Sequence, residues 1–544
     1  MMLQTILSGY PTRFAVVSSA LGLDPRVADA SWADVTLCSV AAWTALLGFS
    51  TLLVCMCRRV TDGRIRRAGG VRAPSLASNV FAASAFYYRV GKHQYHNKLP
   101  AWCSEALDAL PGDRHFAEFS LTGSKRSLIT RDPEQIKAVL TTKFAEFGHG
   151  PLWSKLWRPF LGSGIFATDG QQWHDSRAMM RPMFSRQRLR NLAIFDACTN
   201  KLLSKLPTPG ATVDLKVLFY RWALDTSSEF LWGENVNSLD NPYHDVAKAM
   251  STAQRIQMFI FVLNPIAPLI PKGAYYHAIR KIEDFIEPVI SRAVSLPDKE
   301  LADLSKSDLR YSFLHSIARF SKEPKVIRDQ LMSVLLASRD TTAATMSWAM
   351  YELSNCPPAW ARLRRDVVHV LGPTGTPTYE TLKDMIFATN VLNETLRLHP
   401  AVPLNMRQAL HTTTIPGAPG EPDVVLLKGD TVTIHTLGMH GRRDLYPAVS
   451  AEFADPAVFS PDRWDHWFPR PWTYLPFGGG QRICVGQNFA LTEMAFCLVR
   501  LAQRFERIEY RGDWNAQTRQ TDIIGTPALG VPVALFGSEA EASL

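Results

Sequence analysis

The stretch Phe477-Gly-Gly-Gly-Gln-Arg-Ile-Cys-Val-Gly486 places one cysteine in a glycine-rich loop, directly before a long apolar run. Three consecutive glycines allow backbone conformations that other residues avoid and let the chain approach a bulky group closely. Several backbone N–H groups can then point at one sulfur, and a thiolate held in this way can ligate iron. Because Gly480, Arg482, Cys484 and Gly486 alternate, Arg482 can face an anion while Cys484 faces the metal. The alternative is a buried structural cysteine in a glycine turn.

The composition is that of a globular protein, with 544 residues, 46% hydrophobic and 20% charged. No flexible linker or repeat divides residues 76 to 544, which favours one large domain. The net charge of +9 suits a membrane surface or an acidic partner. Zinc-finger spacings and long blocks of like charge are absent from the sequence, so no nucleic-acid partner is predicted. The eight cysteines are scattered rather than arranged as a disulfide framework, which indicates a reducing compartment.

Val35–Cys57 contains no charged side chain, and arginines follow it at once. As a helix it would be about 34 Å long, enough to cross the apolar core of a bilayer. By the positive-inside rule, the part of the chain after it lies in the cytosol. We therefore predict a lumenal or interfacial segment over 1–34, a transmembrane anchor over 35–57, a basic linker over 58–75 and a globular domain over 76–544. The alternative for the apolar segment is a buried helix of a soluble protein.

Trp173 and Arg177 are four residues apart in a predicted helix that starts near Asp169-Gly170, so their side chains share a face. An indole N–H and a guanidinium can together donate several hydrogen bonds to one carboxylate. Taken alone, such a pair is more often an ordinary cation–π contact on a helix surface.

The pattern Ala337-Ser-Arg-Asp-Thr-Thr342 puts an acid beside two alcohols within a long, otherwise apolar helical stretch, Val326–Ser354. A threonine inside a helix can donate to the carbonyl four residues earlier and loosen that turn. The loosened turn makes room for water or dioxygen beside Asp340 and Thr341. A capping or surface pair is the alternative.

Glu394 and Arg397 are three residues apart in a helix that ends at Pro400, and they therefore face the same side. Such pairs are common and usually contribute little to stability. Further along the chain, the segment Phe459-Ser-Pro-Asp-Arg-Trp464 carries another arginine, Arg463.

Together these motifs resemble those of the cytochrome P-450 superfamily and follow one another in that family's order. The loop fits Phe-x-x-Gly-x-Arg-x-Cys-x-Gly at every position, and the resemblance covers about residues 76–540. It implies a mainly α-helical fold with a smaller β-rich lobe, preceded here by a single transmembrane helix. The chain has Ser338 where the family usually has glycine.

The resemblance also assigns roles to residues. It implies haem b as the cofactor, with the Cys484 thiolate as the axial ligand of the iron. The haem propionates would be bound by Trp173, Arg177, Arg407 and Arg482. The loop around the ligand would be shaped by Phe477, Gly480 and Gly486. Structural support from behind the loop would come from Glu394, Arg397 and Arg463. Protons for oxygen activation would be relayed by Asp340 and Thr341.

The function that this implies is that of a haem-thiolate monooxygenase that hydroxylates an apolar small molecule. Electrons would come from NADPH through the flavoprotein NADPH–cytochrome P-450 reductase, with cytochrome b5 as a further partner. A basic stretch could dock that flavoprotein; it contains Arg186, Arg188 and Arg190. The predicted location is the endoplasmic reticulum membrane, in contact with lipid and with the catalytic domain in the cytosol.

The wording of the motifs is similar to that of fungal alkane and fatty-acid ω-hydroxylases, so a fatty acid or an alkane is the expected substrate. An oxidase that tailors a fungal secondary metabolite, a polyketide or terpenoid, is the runner-up. A haem-thiolate isomerase or dehydratase and a non-catalytic haem-binding protein are alternatives of other classes. The pair Asp340-Thr341 argues against the isomerase, which needs no oxygen-activation relay.

Overall fold

The computed structural model describes residues 32–77, 79–112, 114–185, 190–241, 245–304 and 312–537. Most of the predicted N-terminal segment, residues 1–31, lies outside the described residues, as do Arg186 and Arg188 of the basic stretch. Helices dominate the described residues and the strands are short, which confirms the mainly α fold with a smaller β-rich lobe.

The α-helices of the described residues are α1 (Trp32–Arg67), α2 (Val80–Tyr95), α3 (Leu99–Asp108), α4 (Pro133–Lys137), α5 (Gly150–Leu161), α6 (Gly170–Met180), α7 (Ala193–Ser204), α8 (Leu215–Trp232), α9 (Asp245–Val262), α10 (Gly273–Ser295), α11 (Asp298–Leu304), α12 (Phe313–Phe320), α13 (Pro324–Ser354), α14 (Pro357–Leu371), α15 (Tyr379–Asp384), α16 (Ile386–Leu398), α17 (Thr436–His440) and α18 (Gln487–Arg504). A π-helical turn, Ala138–Thr142, continues α4.

The strands are β1 (Phe116–Phe119), β2 (Ser127–Thr130), β3 (Phe147–Gly148), β4 (Thr212–Asp214), β5 (Leu404–Ala409), β6 (Thr413–Ile415), β7 (Val424–Leu426), β8 (Thr431–His435), β9 (Arg507–Tyr510), β10 (Arg519–Asp522), β11 (Ile524–Pro527) and β12 (Pro532–Phe536). The largest sheet has the order β1-β2-β8-β5-β3, and β2 and β8 pair in parallel while the other neighbours are antiparallel. Smaller sheets are formed by β4-β12-β9, β6-β7 and β10-β11.

Helix α13 is the centre of the fold. It starts with Pro324 at its first position, where a missing N–H costs nothing, and it is buried on nearly all sides. Its N-terminal half, up to Leu336, belongs to one hydrophobic cluster with α9, α10 and α12. Its C-terminal half, from Ala343, belongs to a second cluster with α14, α16 and α18. The polar segment 337–342 therefore lies where the two cores meet.

Helix α1 precedes the globular part, and its stretch Ser39–Arg67 contains an 18-residue window with a mean hydropathy of 2.0, long and apolar enough to cross a membrane. No residue of this apolar window is buried in the protein. Large apolar side chains such as Leu37, Trp43 and Phe49 are about two-thirds exposed. This exposure argues against the alternative of a buried helix in a soluble protein and indicates a membrane anchor.

The predicted linker over 58–75 requires a correction. Residues 58–67 continue α1 without a break, and only the segment from Ala68 onward is irregular. Arginine favours helix, and one face of this extension packs on the protein, since Thr61 and Ile65 are only 3% exposed. The charge pattern correctly marked the end of the apolar run, but it did not mark the end of the helix.

Candidate active site

A cavity of about 730 Å³ lies against α13, strand β5 and the Phe477–Gly486 loop. It brings together most of the predicted site residues, which come from four separate segments of the chain. Those that line it are Trp173, Arg177, Thr341, Arg407, Phe477, Arg482, Cys484 and Gly486.

The cysteine loop is closed by a hydrogen bond from the Cys484 backbone N–H to the Phe477 carbonyl, at 3.0 Å. Gly478 and Gly480 have φ values of +72° and +66°, in the left-handed region that favours glycine. A Cβ atom at Gly480 would also lie 2.0 Å from the carbonyl oxygen of Leu140 in the π-helical turn. Gly480 is therefore required both by its conformation and by the close approach of a second segment.

The Cys484 side chain lines the cavity and is accessible from it. Burial by the surrounding protein raises the pKa of its thiol, while the Gly486 backbone N–H and the nearby Arg177 guanidinium lower it. Both opposing groups stabilise a thiolate, the form of cysteine that binds a metal.

Three buried or half-buried arginines lie along one side of the cavity, and we call Arg177, Arg407 and Arg482 the arginine group. Arg482 donates to Asp169 Oδ1 (2.6 Å) and to the Thr168 carbonyl (3.3 Å), and its guanidinium lies 4.4 Å from the centre of the Trp173 ring. Its Nε atom is buried and has no hydrogen-bond partner.

The other two members are held by uncharged oxygens, and neither forms an ion pair with a carboxylate of the described residues. Arg177 donates to the Ile483 carbonyl at 2.9 Å, next to the cysteine. Arg407 donates to the Met406 carbonyl (2.7 Å) and to Asn405 Oδ1 (2.9 Å). Burial and the charge of Arg482 lower the pKa of Arg407 to about 9.

The charges around this side of the cavity do not balance. The arginine group carries three positive charges, and Asp169 is the carboxylate that contacts it among the described residues. His149, beside Arg482, adds no charge, because burial and the neighbouring Arg407 and Arg482 hold its pKa well below its usual value. A flat cofactor with anionic edges and a metal that takes a thiolate fits this donor set, because it would satisfy both the excess charge and the orphaned Arg482 Nε.

The two predicted catalytic residues on α13 are placed differently. Thr341 lines the cavity, and its hydroxyl donates to the Ala337 carbonyl four residues earlier, at 2.6 Å. Asp340 is buried away from the cavity, where it accepts from Arg339 Nη1 (2.7 Å) and Gln254 Nε2 (2.5 Å). Burial raises the pKa of Asp340, while Arg339 and Gln254 lower it. The structure thus brings Thr341 to the cavity but not the Asp340 carboxylate.

Glu394, Arg397 and Arg463 form a closed network that is almost fully buried. Arg397 binds both carboxylate oxygens of Glu394, at 2.7 and 2.8 Å, and Arg463 Nε binds Oε1 at 2.9 Å. Trp464 Nε1 (3.0 Å) and the Ser460 N–H (3.0 Å) complete the coordination of this carboxylate.

A histidine that the sequence did not single out joins this network to the cysteine loop. His440 Nδ1 donates to the Arg397 carbonyl (3.1 Å), and its Nε2 accepts from the Leu475 N–H (2.9 Å), two residues before Phe477. This geometry requires a neutral ring, and burial lowers the pKa of His440 to about 3. Asp169, interpreted from sequence only as part of a turn, is the second residue that was missed.

The comparisons with known proteins agree with this geometry. The family model described as Cytochrome P-450 matches residues 119–530. Cytochrome P-450 monooxygenase pvhE of Talaromyces variabilis is 43% identical over 76% of this chain and 80% of its own length. Cytochrome P-450 52A3-B of Candida maltosa is 34% identical over 82% of this chain and 86% of its own length. The crystal structure of the cytochrome P450DA heme domain has the same fold, with a TM-score of 0.70, 20% identity, and coverage of 87% of this chain and 98% of that one.

These matches cover most of the chain, and the relatives come from fungi, as the motif wording predicted. They confirm the predicted fold and enzyme class. Membership implies a haem with a cysteine thiolate ligand, a redox partner and a hydrophobic substrate. This chain belongs to the cytochrome P-450 family, and it is a monooxygenase of the fungal microsomal type.

Proposed function

We propose that this enzyme hydroxylates a long apolar molecule, a fatty acid or an alkane. The observation that carries the proposal is the lining of the cavity. Among the described residues that line it, aliphatic and aromatic side chains predominate, and there is no aspartate or glutamate. Such a wall suits an uncharged or carboxylate-bearing chain and disfavours an amine, whose buried cation would lack a partner.

A carboxylate end could be held by Lys125, which is exposed and also lines the cavity. The neighbouring Arg126 is already neutralised, since it binds Glu118 at 2.8 Å and Asp430 at 2.5 Å. Because the arginine group lies at the proposed haem site, Lys125 is the cation left for a fatty acid among the described residues that line the cavity, and an alkane would make no use of it.

Cys484 would bind the haem iron through its thiolate, and the arginine group with Trp173 would hold the haem propionates. When bound there, the haem supplies the oxygen activation that inserts one oxygen atom into a C–H bond. Phe477, Gly480 and Gly486 shape the loop, and Glu394, Arg397 and Arg463 hold it from behind. The protein contributes the orientation of the substrate and the exclusion of water from an apolar cavity.

Thr341 is the proposed proton-handling group at the cavity surface. Its hydroxyl can donate to a water molecule instead of the Ala337 carbonyl at little cost in free energy. The reason is that this carbonyl retains its backbone hydrogen bond within the helix. Asp340 would join the relay only when its carboxylate leaves Arg339 or Gln254. It could therefore supply protons from a buried store rather than from the cavity wall.

Electrons are proposed to come from NADPH through NADPH–cytochrome P-450 reductase, with cytochrome b5 as an additional donor. The exposed Arg181 and Arg190 extend the basic surface that starts at Arg177, and an acidic flavoprotein could dock there. The anchor is proposed to hold the enzyme in the endoplasmic reticulum membrane as a single-pass protein, with its catalytic domain in the cytosol.

The test is a titration of the haem spectrum with matched ligands. Fatty acids and n-alkanes should shift the spectrum, whereas alkyltrimethylammonium ions of the same length, which keep their charge and cannot bind iron, should bind weakly in the apolar part of the cavity. In Lys125→Met, fatty-acid affinity should fall by up to about fivefold, the size of an exposed ion pair, while alkane affinity stays unchanged. A shift with polycyclic compounds alone would contradict the long-chain substrate.

A secondary-metabolite oxidase is the second candidate, favoured by the aromatic residues near Lys125. The ring centre of Phe86 lies 4.6 Å from that of Phe119 and 5.2 Å from that of Trp102. All three side chains line the cavity. Flat polyketides stack well on such rings. Product formation without NADPH and a reductase would instead indicate an isomerase or dehydratase.

A further inference from the structure

The hairpin β10–β11 puts one strained residue into the cavity. Its register pairs Asp522 with Ile524, so Ile523 alone forms the tip. Ile523 has a φ of +82°, a conformation that is costly for a β-branched side chain. Both Ile523 and Ile524 line the cavity. Such strain persists only where the surrounding contacts hold the backbone in place, so the contacts of this hairpin determine where Ile523 lies.

The base of the hairpin is tied to α13 by a chain of three side chains. Arg519, the first residue of β10, donates through Nη2 to His399 Nδ1 at 2.6 Å and to the Leu398 carbonyl at 3.0 Å. His399 Nε2 lies 2.6 Å from Glu352 Oε1, and both of these residues are buried. We call Arg519, His399 and Glu352 the hairpin anchor.

The hydrogen bonds of the anchor fix the protonation of the His399 ring. Because Nδ1 accepts from Arg519, the ring proton is on Nε2 and is donated to Glu352. Burial and the charges of Arg519 and Arg397 hold the pKa of His399 well below its usual value, which agrees with a neutral ring. Burial raises the pKa of Glu352 to about 8, and its Oε1 can accept the Nε2 proton in either state of the carboxyl group. The chain therefore runs in one direction, from the guanidinium through the ring to the carboxyl group.

Trp348 attaches the other strand of the hairpin to the same place. Its ring stacks on that of His399, with the ring centres 4.0 Å apart and the planes inclined by 6°. Its Nε1 donates to the Gly525 carbonyl of β11 at 2.9 Å. Trp348 and Glu352 are four residues apart on α13 and therefore share a face. One face of α13 thus holds both strands, and His399 contacts each of the side chains that do so.

The tip of the hairpin is held by other elements. Gln94 of α2 donates to the Thr521 carbonyl at 2.8 Å, and Arg255 of α9 binds Asp522 at 2.8 Å. The hairpin is therefore fixed near its tip by α2 and α9 and at its base by α13. Release of the base would leave the tip attached, but it would remove part of the constraint that keeps Ile523 at a positive φ.

We propose that the hairpin anchor positions the substrate, because it determines how far Ile523 projects into the cavity. In the described part of the chain, the cavity wall includes none of the three anchor residues, so they act through the hairpin. The proposal concerns the monooxygenase activity of the family and does not depend on the identity of the substrate. A change in the anchor should alter the shape of the cavity, and with it the part of the substrate that is presented for oxidation.

The first experiment compares His399→Gln with His399→Leu in the full-length, haem-containing protein. The amide of glutamine can accept from Arg519 and donate to Glu352, whereas leucine can do neither. Hydrogen exchange of residues 519–527, measured by mass spectrometry, should be several-fold faster in His399→Leu, with exchange elsewhere unchanged. His399→Gln should stay close to the unaltered protein, as should the control His411→Leu, at an exposed histidine between β5 and β6. Equal exchange in His399→Gln and His399→Leu would overturn the role of the hydrogen-bonded chain.

The second experiment measures the cavity with 1-alkylimidazoles of increasing chain length, which bind haem iron and shift its spectrum. The chain length at which affinity stops rising reports the depth available to an apolar chain. This limit should shift in His399→Leu and be retained in His399→Gln. Glu352→Leu breaks the same chain at its other end and should give the same shift, so the test does not depend on one variant. An unchanged limit in both leucine variants would overturn the proposal.

Discussion

Two clusters of arginines flank the cysteine loop, and they differ in how completely their positive charges are paired with carboxylates. Behind the loop, Glu394 serves Arg397 and Arg463, and both of its oxygens are saturated with donors. At the cavity, the arginine group has three guanidiniums, and Asp169 contacts only Arg482 among them. The first cluster needs nothing further, whereas the second is complete only when an anion is present.

This difference separates a structural network from a binding site on physical grounds. A buried charge is tolerated when it is paired and hydrogen-bonded, and an excess of buried cations is costly without a ligand. Arg482 Nε has no hydrogen-bond acceptor, and the pKa of Arg407 is lowered. Both observations indicate that this side of the cavity lacks an anion. We therefore expect substitutions behind the loop to change folding and substitutions at the cavity to change cofactor binding.

Glu394→Gln should break the closed network and have the largest effect. Two buried guanidiniums would lose their carboxylate, which should lower the free energy of unfolding by about 3–5 kcal/mol. Urea unfolding, followed by tryptophan fluorescence, measures this change. The control is Asp462→Asn, which removes an exposed partner of Arg362 on the neighbouring 3-10 turn and should cost less than about 1 kcal/mol. A similar loss in the free energy of unfolding for both variants would contradict the structural role of the Glu394 network.

Arg482→Gln should leave the fold stable and weaken haem retention instead. Loss of a charge-assisted hydrogen bond is worth about 1.5–3 kcal/mol, which corresponds to roughly ten- to hundredfold faster transfer of haem to an acceptor protein. The urea midpoint of the haem-free form should stay close to that of the unaltered protein, since Asp169 keeps its bonds to the His149 and Gly150 N–H groups. A fall in stability without faster haem loss would place Arg482 in the structural class.

His440 should give the pH dependence that sharpens the comparison. Its pKa is about 3 in the folded protein and near 6.5 when unfolded, so between these values the unfolded chain binds a proton that the folded one does not. The contribution of His440 to the free energy of unfolding should therefore be constant above pH 6.5. Below that pH it should fall by up to about 1.4 kcal/mol for each pH unit. His440→Gln should flatten this slope, whereas the exposed His466→Gln should not. Equal slopes in all three proteins would contradict the role of His440.

Much of this site was predictable because its motifs are local. The alternation in Phe477–Gly486, the spacing of Glu394 and Arg397, and the long apolar pattern of α13 are each visible within one segment. The observed helix, Pro324–Ser354, differs from the predicted stretch by two residues at its start. The pattern of α13 also indicates the fold class, since this helix belongs to both large hydrophobic clusters.

The features that sequence reasoning missed depend on contacts between distant segments. Asp169 accepts a hydrogen bond from Arg482, which lies 313 positions later in the chain. The sequence around Asp169 contains no pattern that predicts this partner. Helix α13 is buried on nearly all sides, so its periodicity could not tell that Thr341 faces the cavity and Asp340 faces Gln254. The extension of α1 to Arg67 depends on the docking of Ile65, which an arginine-rich segment does not reveal.

The central claim is that the Cys484 thiolate, supported from behind and faced by the arginine group, holds the haem iron. Absorption of the reduced, carbon monoxide-bound protein tests it most directly, because a thiolate ligand gives a Soret band at distinctly longer wavelength than other axial ligands. The unaltered protein should show this band, and Cys484→Ser should lose it, while Cys497→Ser, a buried cysteine on α18, should keep it. An unchanged band in Cys484→Ser would contradict the account.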